Sequence, residues 1–254
     1  SGEVDLLVRN STWTFSRDTD LKFDFVAVNY YDGQGFMVKK ELGVSSAKEL
    51  DGATVCIQTG TTTELNLADF FKANNISYTP VTVGDDSEAQ RQFLAGACDA
   101  FTTDASGLAS SRASLPNPGD YIILPEIISK EPLGPVVRHG DNNWGDIVRW
   151  TYYSLLIAEE KGITKANVEE VAASTNDEEV KRLLGLSGEL AVKFGLDNDA
   201  FKRAILVAPP AFMGLLNAVI DGPTAQLITD RFEKDYTKTS ENELGERLGS
   251  TIFL

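Results

Sequence analysis

The chain has 254 residues, of which 42% are hydrophobic, enough to bury the core of one large or two small α/β domains. Its net charge of −15 argues against nucleic acid or an anionic membrane as a partner, because both bind basic surfaces. No apolar run approaches the length of a membrane span, and no signal peptide is predicted in the sequence. We therefore expect a globular protein without direct membrane insertion.

The first predicted elements are short extended segments separated by polar loops. The apolar segment 3–8 predicts a strand, and a dense polar loop follows at 9–14. The turn-rich stretch 30–35 precedes a predicted strand at 36–38. A serine that suits a helix N-cap then stands before a short predicted helix at 47–50.

The clearest local signal is the stretch 55–65, which predicts a strand, a tight turn and a helix. A short apolar run ends at Gly60, and Thr61 with Glu64 fits a capping box. Three consecutive threonines provide more hydroxyl groups than a cap requires. Because no lysine follows Gly60 and no G-x-G-x-x-G is present, the free N–H groups of this helix start suit a carboxylate better than a nucleotide. The alternative is an ordinary strand-to-helix turn.

Strands and helices go on alternating from residue 44 to residue 137. The predicted elements are a strand at 79–83, a helix at 87–94, a strand at 99–104, a strand at 121–124 and an extended crossing at 131–136. Sequential βα units build parallel sheets, so this pattern predicts one compact parallel α/β lobe inserted in another.

The two cysteines belong to this predicted lobe. Cys56 and Cys98 each lie in an apolar stretch shortly before a polar loop, which suits neighbouring parallel strands. The pair could form a disulfide or remain two free core thiols, and the sequence leaves both open. With two cysteines and one histidine in the chain, we predict no metal site, and no cofactor is predicted either.

The remainder of the chain is mainly helical, with predicted helices at 144–158, 166–173 and 178–184. The apolar run at 203–207 predicts a new strand. We expect this strand to pair beside residues 4–8, because pairing would cover the edges of both. A helix through Phe212 and a strand at 227–232 are predicted after it.

Several phrases resemble the general amino-acid substrate-binding proteins of ABC importers, a branch of the type II periplasmic binding fold. They are SGEVDLL at 1–7, YYDGQGFMV at 30–38, QTGTTTELN at 58–66, TTDASGL at 102–108 and LPEIISKEPLGP at 124–135. This resemblance extends from Ser1 to about Asp199. The tail from about Phe201 to Leu248 instead resembles the end of the bacterial host-attachment protein family. Its phrases are LVAPPAFMG at 206–214, KDYT at 234–237 and ELGERL at 243–248.

The resemblance implies a periplasmic protein that captures L-amino acids and delivers them to the membrane subunits of an ABC importer. The implied fold is α/β, with one complete parallel lobe and an incomplete or rebuilt first lobe. The implied domains are a partial first lobe at 1–40 and 138–199, a second lobe at 41–137, and an added βαβ tail at 200–254 packed on the first lobe. The family's first strands and helices are absent before Ser1. We therefore expect a truncated or chimeric chain, engineered or otherwise, with weak or no ligand affinity.

The resemblance also implies a ligand site. An α-amino acid presents a carboxylate and an ammonium, so its receptor needs hydrogen-bond donors and a fixed anion in one cleft. The predicted ligand-binding residues are Arg9, Asn10, Thr12, Arg17, Gly60, Thr61, Thr62 and Asp104.

Each of these residues has an implied role. Arg17 stands where the family places its carboxylate-binding arginine, and the backbone and hydroxyl of Thr62 would assist it. Thr12, with the carbonyl region of Asn10, would face the ammonium, and Asp104 would pair with it. Arg9 would face the ligand side chain. In the alternative interpretation the arginine at position 17 lies on the surface beside two aspartates, and the aspartate at position 104 caps a helix.

Catalysis has little support in the sequence. His139 is the one histidine and no G-x-S-x-G is present, so a solvated loop histidine is favoured over a catalytic one. The same fold hosts dehydratases and lyases, for which only Asp104 or Glu64 could act as the acid or base. An inert chimera is the other alternative. We predict that the chain is not an enzyme.

Overall fold

The computed structural model describes residues 4–207, which form two compact units that meet in sequence at Gly140 and Asp141. In the first unit the helices and strands are α1 (Phe15–Thr19), β1 (Phe23–Phe25), β2 (Tyr30–Asp32), β3 (Gln34–Lys39), β4 (Ala53–Gln58), α2 (Thr62–Ala73), β5 (Tyr78–Val83), α3 (Asp86–Leu94), β6 (Ala100–Asp104), α4 (Ala105–Ala113), β7 (Tyr121–Ile123), β8 (Glu131–Leu133) and β9 (Val136–Arg138). Short 3-10 helices lie at Lys40–Leu42, Ala47–Glu49 and Pro118–Asp120.

The first unit contains a five-stranded sheet in the order β5-β4-β6-β3-β7. Strand β4 is parallel to β5 and to β6, and helices α2 and α3 supply the crossovers that parallel neighbours require. Strand β3 is antiparallel to both β6 and β7. The prediction of a wholly parallel lobe is therefore wrong at β3. Only Gly33 separates β3 from β2, so no crossover helix turns the chain before β3 joins the sheet.

The core lies on both faces of this sheet because successive strand residues point to opposite sides. One face carries Phe36, Val55 and Ile57, which pack against Leu67 and Phe71 of α2. On the other face a second buried cluster comprises Met37, Cys56, Ala89, Phe93, Cys98, Phe101 and Leu108. The two clusters hold α2 on one side of the sheet and α3 and α4 on the other.

The second cluster contains a disulfide between Cys56 and Cys98, whose Cα atoms are 5.6 Å apart. Cys56 lies in β4, and Cys98 stands two residues before β6, which is the neighbouring parallel strand. Of the two alternatives that the sequence left open, the structure contains the disulfide.

Replacing both cysteines with alanine is expected to lower the free energy of unfolding by about 2–4 kcal/mol. The reason is that the disulfide closes a loop across a sequence separation of 42 and restricts the unfolded chain. Chemical denaturation of the full chain measures the change. A reducing agent should destabilise the original chain by a similar amount and leave the double variant unaffected. If the reducing agent changes both proteins equally, the disulfide does not account for the difference.

Two antiparallel strand pairs, β1 with β9 and β2 with β8, lie outside the five-stranded sheet. The stretch predicted as turns at 30–35 in fact contains β2 and the start of β3, because β8 is available to pair with β2. The chain packs closely between these two pairs, since a Cβ added at Gly134 would collide with the carbonyl oxygen of Ala27. Only glycine fits that position.

The N-terminal segment pairs with the same crossing region through two isolated bridges, Leu7 to Val136 and Thr12 to Leu133. The prediction of a strand at 3–8 is wrong, since Leu7 forms a single bridge. These bridges nevertheless bring the polar loop at 9–14 against β8.

The second unit is helical within the described residues. Its elements are α5 (Asn142–Glu160), α6 (Val168–Ser174), α7 (Glu178–Leu183), a 3-10 helix at Val192–Phe194, and α8 (Ala200–Val207). A buried cluster joins these helices and includes Ala158, Val168, Val180, Leu184, Phe201 and Ile205. The three helices predicted here at 144–158, 166–173 and 178–184 correspond to α5, α6 and α7.

The strand predicted at 203–207 is wrong, and so is its pairing beside residues 4–8, because this segment belongs to α8. Phe201 and Ile205 are both buried, which is the four-residue spacing of one helix face. A short apolar run does not by itself distinguish a strand from a buried helix, and the preceding residues supply the rest of the helix. The helix through Phe212 and the strand at 227–232 lie outside the described residues.

The other predicted elements of the first unit are confirmed within a few residues, and the division into domains stays a prediction. No helix within residues 4–207 combines the length and the apolar character that a membrane crossing requires.

Candidate functional site

The first part of the candidate site is the start of α2. The Thr61 side chain accepts a hydrogen bond from the Glu64 N–H at 3.4 Å, so the predicted capping interaction is confirmed. The Glu64 carboxylate reaches back to the N–H of Gly60 at 2.7 Å, one residue before the cap, where Gly60 has a φ of +72°. By helix geometry the N–H groups of Thr62 and Thr63 have no acceptor within α2. They remain available for an anion.

Two of the predicted ligand groups at this turn are already used by the fold. The N–H of Gly60 is bonded to Glu64, and the hydroxyl of Thr61 donates to the Gln58 carbonyl at 2.9 Å. Gly60 and Thr61 therefore shape the turn. Thr62 is the residue here whose hydroxyl reaches toward the crossing region, where it approaches Glu131 at 3.3 Å.

Asp104 ends β6 and occupies the N-cap position of α4, yet its side chain makes no cap hydrogen bond. The capping acceptor is Asp32, which accepts hydrogen bonds from the Ser106 hydroxyl and, at 3.4 Å, from the Ser106 N–H. The alternative that the Asp104 carboxylate serves as the helix cap is therefore wrong. Although Asp104 is buried, with only 7% of its surface exposed, its carboxylate is not occupied by the helix.

The surroundings of Asp104 are acidic. Burial, together with the charges of Asp32, Glu131 and Asp86, raises the pKa of the Asp104 carboxyl to about 7. A hydrogen bond from the Asn10 side chain opposes this effect. Among residues 4–207 no lysine, arginine or histidine forms an ion pair with the Asp104 carboxylate, and a positively charged group would relieve the repulsion.

Glu131 is the centre of a buried hydrogen-bond cluster. Its carboxylate accepts from the Thr12 hydroxyl and the Thr62 hydroxyl through Oε2. Its Oε1 accepts from the Asn66 amide at 2.7 Å and from the Ser129 hydroxyl. The N-terminal segment, α2 and β8 therefore meet at this one side chain.

The two arginines take different positions. The Arg17 guanidinium donates to the carbonyl of Thr12 at 2.9 Å, and Thr12 is the residue whose hydroxyl bonds Glu131. Within residues 4–207 no carboxylate lies at ion-pair distance from Arg17, which does not favour the alternative of a surface arginine paired with its neighbouring aspartates. Arg9 is exposed and lies near Asp86. Burial raises the pKa of the Asp86 carboxyl, and the positive charge of Arg9 partly opposes this increase.

The structure thus brings together five of the eight predicted ligand residues, namely Asn10, Thr12, Arg17, Thr62 and Asp104. Sequence reasoning missed Glu131 and Asp32. The sequence signal for Glu131 was a single carboxylate beside a proline in the crossing segment. For Asp32 the signal was weaker, because an aspartate before a glycine is equally typical of a turn.

Two aromatic side chains of the N-terminal segment and the histidine do not take part in the contacts of this site. Trp13 stacks on Phe25 with the ring centroids 5.5 Å apart, and Phe15 is exposed. The His139 ring lies 3.0 Å from Asp24 and 3.8 Å from Asp18, so its partners are carboxylates. Across the described part of the chain there is no group of three or more His, Cys, Asp or Glu side chains arranged to hold a metal ion.

Comparison with solved structures identifies the family. A structure described as an ABC transporter periplasmic binding protein from Brucella ovis, with glutathione bound, superposes with a TM-score of 0.78 and 49% sequence identity. The match covers 90% of this chain and 72% of that one. The chain belongs to the periplasmic binding proteins of ABC transporters. The predicted fold class, type II periplasmic binding protein-like α/β, is confirmed.

Curated relatives of this periplasmic binding protein agree. The glutamate/glutamine/aspartate/asparagine-binding protein BztA of Rhodobacter capsulatus is 77% identical over 208 residues, which are 82% of this chain and 62% of the relative. The general L-amino acid-binding periplasmic protein AapJ of Rhizobium johnstonii is 58% identical over 201 residues, 78% of this chain and 59% of the relative. The chain spans about three fifths of the length of these relatives. Both are described as binding proteins, in agreement with the prediction that the chain is not an enzyme.

A second family model matches the C-terminal part of the chain. It is described as "Protein required for attachment to host cells" and matches residues 159–248. The predicted resemblance of the tail to the host-attachment family is confirmed. The prediction placed the start of this resemblance at about residue 201, whereas the match begins at residue 159.

Proposed function

We propose that this periplasmic binding protein captures L-α-amino acids in the periplasm and delivers them to the membrane subunits of an ABC importer. The observation that carries the proposal is Asp104, a buried carboxylate at the end of a sheet strand that no helix cap and no cation occupies in the described part of the chain. A ligand ammonium would supply the charge that this carboxylate lacks. Asn10 and Thr12 bring further polar groups to the same place.

The other end of an amino acid is a carboxylate, and the site offers groups that suit it. Arg17 is held by the Thr12 carbonyl and keeps its remaining N–H groups available for a carboxylate. The free N–H groups at the start of α2 lie at the positive end of the helix dipole, which favours a bound carboxylate. A zwitterion fits a site with an anion on one side and such donors on the other.

The relatives narrow the ligand class. BztA is named for glutamate, glutamine, aspartate and asparagine, and the Brucella ovis protein holds glutathione. The γ-glutamyl end of glutathione carries the same pair of α-ammonium and α-carboxylate as a free amino acid. We propose that this pair is what the site recognises, and that the side chain of an acidic or amide ligand extends toward Arg9.

Isothermal titration calorimetry of the full chain tests the proposal. The ligands are L-glutamate, L-glutamine, L-aspartate, L-asparagine and glutathione, with glutarate as a control that lacks the α-ammonium. Because the sequence predicts an impaired site, weak but saturable binding of at least one amino acid is expected, with no binding of glutarate. If none of the five ligands binds, the proposed function is rejected.

Replacing Arg17 with alanine is expected to weaken amino-acid binding by about 10- to 100-fold, because a charge-assisted hydrogen bond contributes about 1.5–3 kcal/mol. The matched control is Arg112→Ala. Arg112 lies in α4, away from the site, and its guanidinium donates to the Pro118 carbonyl at 3.1 Å. The control should bind like the original chain. Equal affinities for both variants would place the carboxylate of the ligand elsewhere.

A further inference from the structure

The carboxylate of Glu131 determines the direction of the hydrogen bonds in the cluster around it. Glu131 begins β8 and is 2% exposed, and its two carboxylate oxygens accept hydrogen bonds from four side chains. An ionised carboxylate has only acceptors, so each of these groups must donate its hydrogen to Glu131. Within residues 4–207 no lysine, arginine or histidine forms an ion pair with it, so its four neutral neighbours alone satisfy the carboxylate.

This arrangement limits the further hydrogen bonds that the hydroxyls of Thr12 and Thr62 can form. A threonine hydroxyl has one hydrogen to donate and two lone pairs that accept. Once the hydrogens of Thr12 and Thr62 are directed at Glu131, both hydroxyls can only accept a hydrogen bond from a third group. They can therefore bond to an ammonium, and they cannot donate to a carboxylate.

We propose that Glu131 is a positioning residue that sets the hydrogen-bond polarity of the site, so that Thr12 and Thr62 present acceptors and select a ligand ammonium. The inference rests on the proposed function, since it takes the ligand to be an α-amino acid. It assigns the Thr62 hydroxyl to the ammonium side of the site, whereas the family resemblance had assigned it to the carboxylate. Only the backbone N–H of Thr62 then serves the ligand carboxylate.

The first test is the variant Glu131→Gln, which keeps the side-chain shape and replaces one acceptor with an amide donor. Where the amide nitrogen takes the Oε2 position, it donates to the hydroxyls of Thr12 and Thr62, and at least one of these hydroxyls turns and directs its hydrogen into the site. Calorimetry then compares L-glutamate with its α-hydroxy analogue, in which a hydroxyl replaces the ammonium. The preference for L-glutamate is expected to fall by about tenfold or more. A purely structural role would weaken both ligands equally and leave the preference unchanged, and that result would overturn the inference.

The matched control is Glu126→Gln. Glu126 lies between β7 and β8, shortly before Glu131, and its carboxylate accepts hydrogen bonds from the Ser46 hydroxyl and from the Ala47 N–H at 2.9 Å rather than from Thr12 or Thr62. This variant should keep the original ligand preference. A fall in preference equal to that of Glu131→Gln would show that the loss of any carboxylate from the connection has this effect, and would also overturn the inference.

A second measurement needs no ligand. In NMR spectra of the empty full-length chain, the hydroxyl hydrogens of Thr12 and Thr62 should exchange slowly and lie close to the Glu131 side chain, and at least one should lose this protection in Glu131→Gln. Hydroxyl hydrogens directed away from Glu131 would overturn the inference whatever the ligand data show. If the original chain binds neither ligand, the proposed function is rejected, while the spectra still decide the orientation of the hydroxyls.

Discussion

Replacing Asp104 with asparagine is expected to weaken L-glutamate binding about 100-fold or more at mildly alkaline pH. The carboxylate is buried, and removing one partner of a buried charge pair costs about 3–5 kcal/mol because the other charge is left without compensation. Asparagine keeps the size and hydrogen-bonding capacity of the side chain, so the loss reports the charge. Calorimetry of the full chain measures it.

The same residue predicts a pH dependence of binding. Burial and the neighbouring carboxylates raise the pKa of the Asp104 carboxyl to about 7 in the empty site, so this carboxyl is increasingly protonated as the pH falls below about 7. A ligand ammonium binds the ionised form, and the affinity should fall by about tenfold for each pH unit below that pKa. At about pH 6, binding should release nearly one proton, which calorimetry in buffers of different ionisation enthalpy detects. The asparagine variant should show neither effect.

The stability of the empty protein should follow the same carboxyl with a defined sign. Because the folded pKa of Asp104 lies above the unfolded value of about 3.9, the folded state binds the proton more tightly. The contribution of this group is most favourable below about pH 4 and is lost as the pH rises toward 7. Unfolding of Asp104→Asn should lack this part of the pH dependence.

A surface aspartate provides the control for both measurements. Asp120 is exposed beside the start of β7, and Asp120→Asn removes the same charge without touching the site. Its binding, proton release and stability profile should match those of the original chain. Tight, pH-independent binding by Asp104→Asn would show that the ligand ammonium is held elsewhere.

Replacing Phe36 with alanine is expected to lower the free energy of unfolding by about 3–5 kcal/mol, the range for a large-to-small change in a core. Phe36 in β3 is fully buried, and its ring centroid lies 5.8 Å from that of Phe70 and 6.3 Å from that of Phe71, both in α2. The cavity would form directly under the helix whose first residues carry Thr62. Chemical denaturation measures the change, and amino-acid affinity should fall with it.

The matched control is Phe15→Ala in α1, where the side chain is 83% exposed. This change should alter the free energy of unfolding by less than about 0.5 kcal/mol, as is usual for a surface position. If Phe36→Ala is no more destabilising than the control, the packing of Phe36 against α2 does not contribute to the stability of the sheet.

The sequence by itself determined the features that depend on neighbours along the chain. The stretch 55–65 predicted the strand, the turn and the capped helix, because a cap and its acceptor stand three residues apart. Alternation of strands and helices predicted the parallel part of the sheet from β4 to β6, because each crossover helix follows its strand directly. The resemblance to amino-acid-binding proteins added Arg17 and Asp104, which local patterns alone could not have assigned.

Only the tertiary structure decided the features that join distant parts of the chain. Glu131 receives hydrogen bonds from Thr12 and Thr62, which stand 119 and 69 residues away, and no pattern of neighbouring residues records such a meeting. Asp32 caps α4 from 74 residues away, which leaves Asp104 without a capping role. The segment predicted as a strand at 203–207 became helix for a similar reason. A short apolar run fits either state, and packing against the rest of the second unit decides which one buries it.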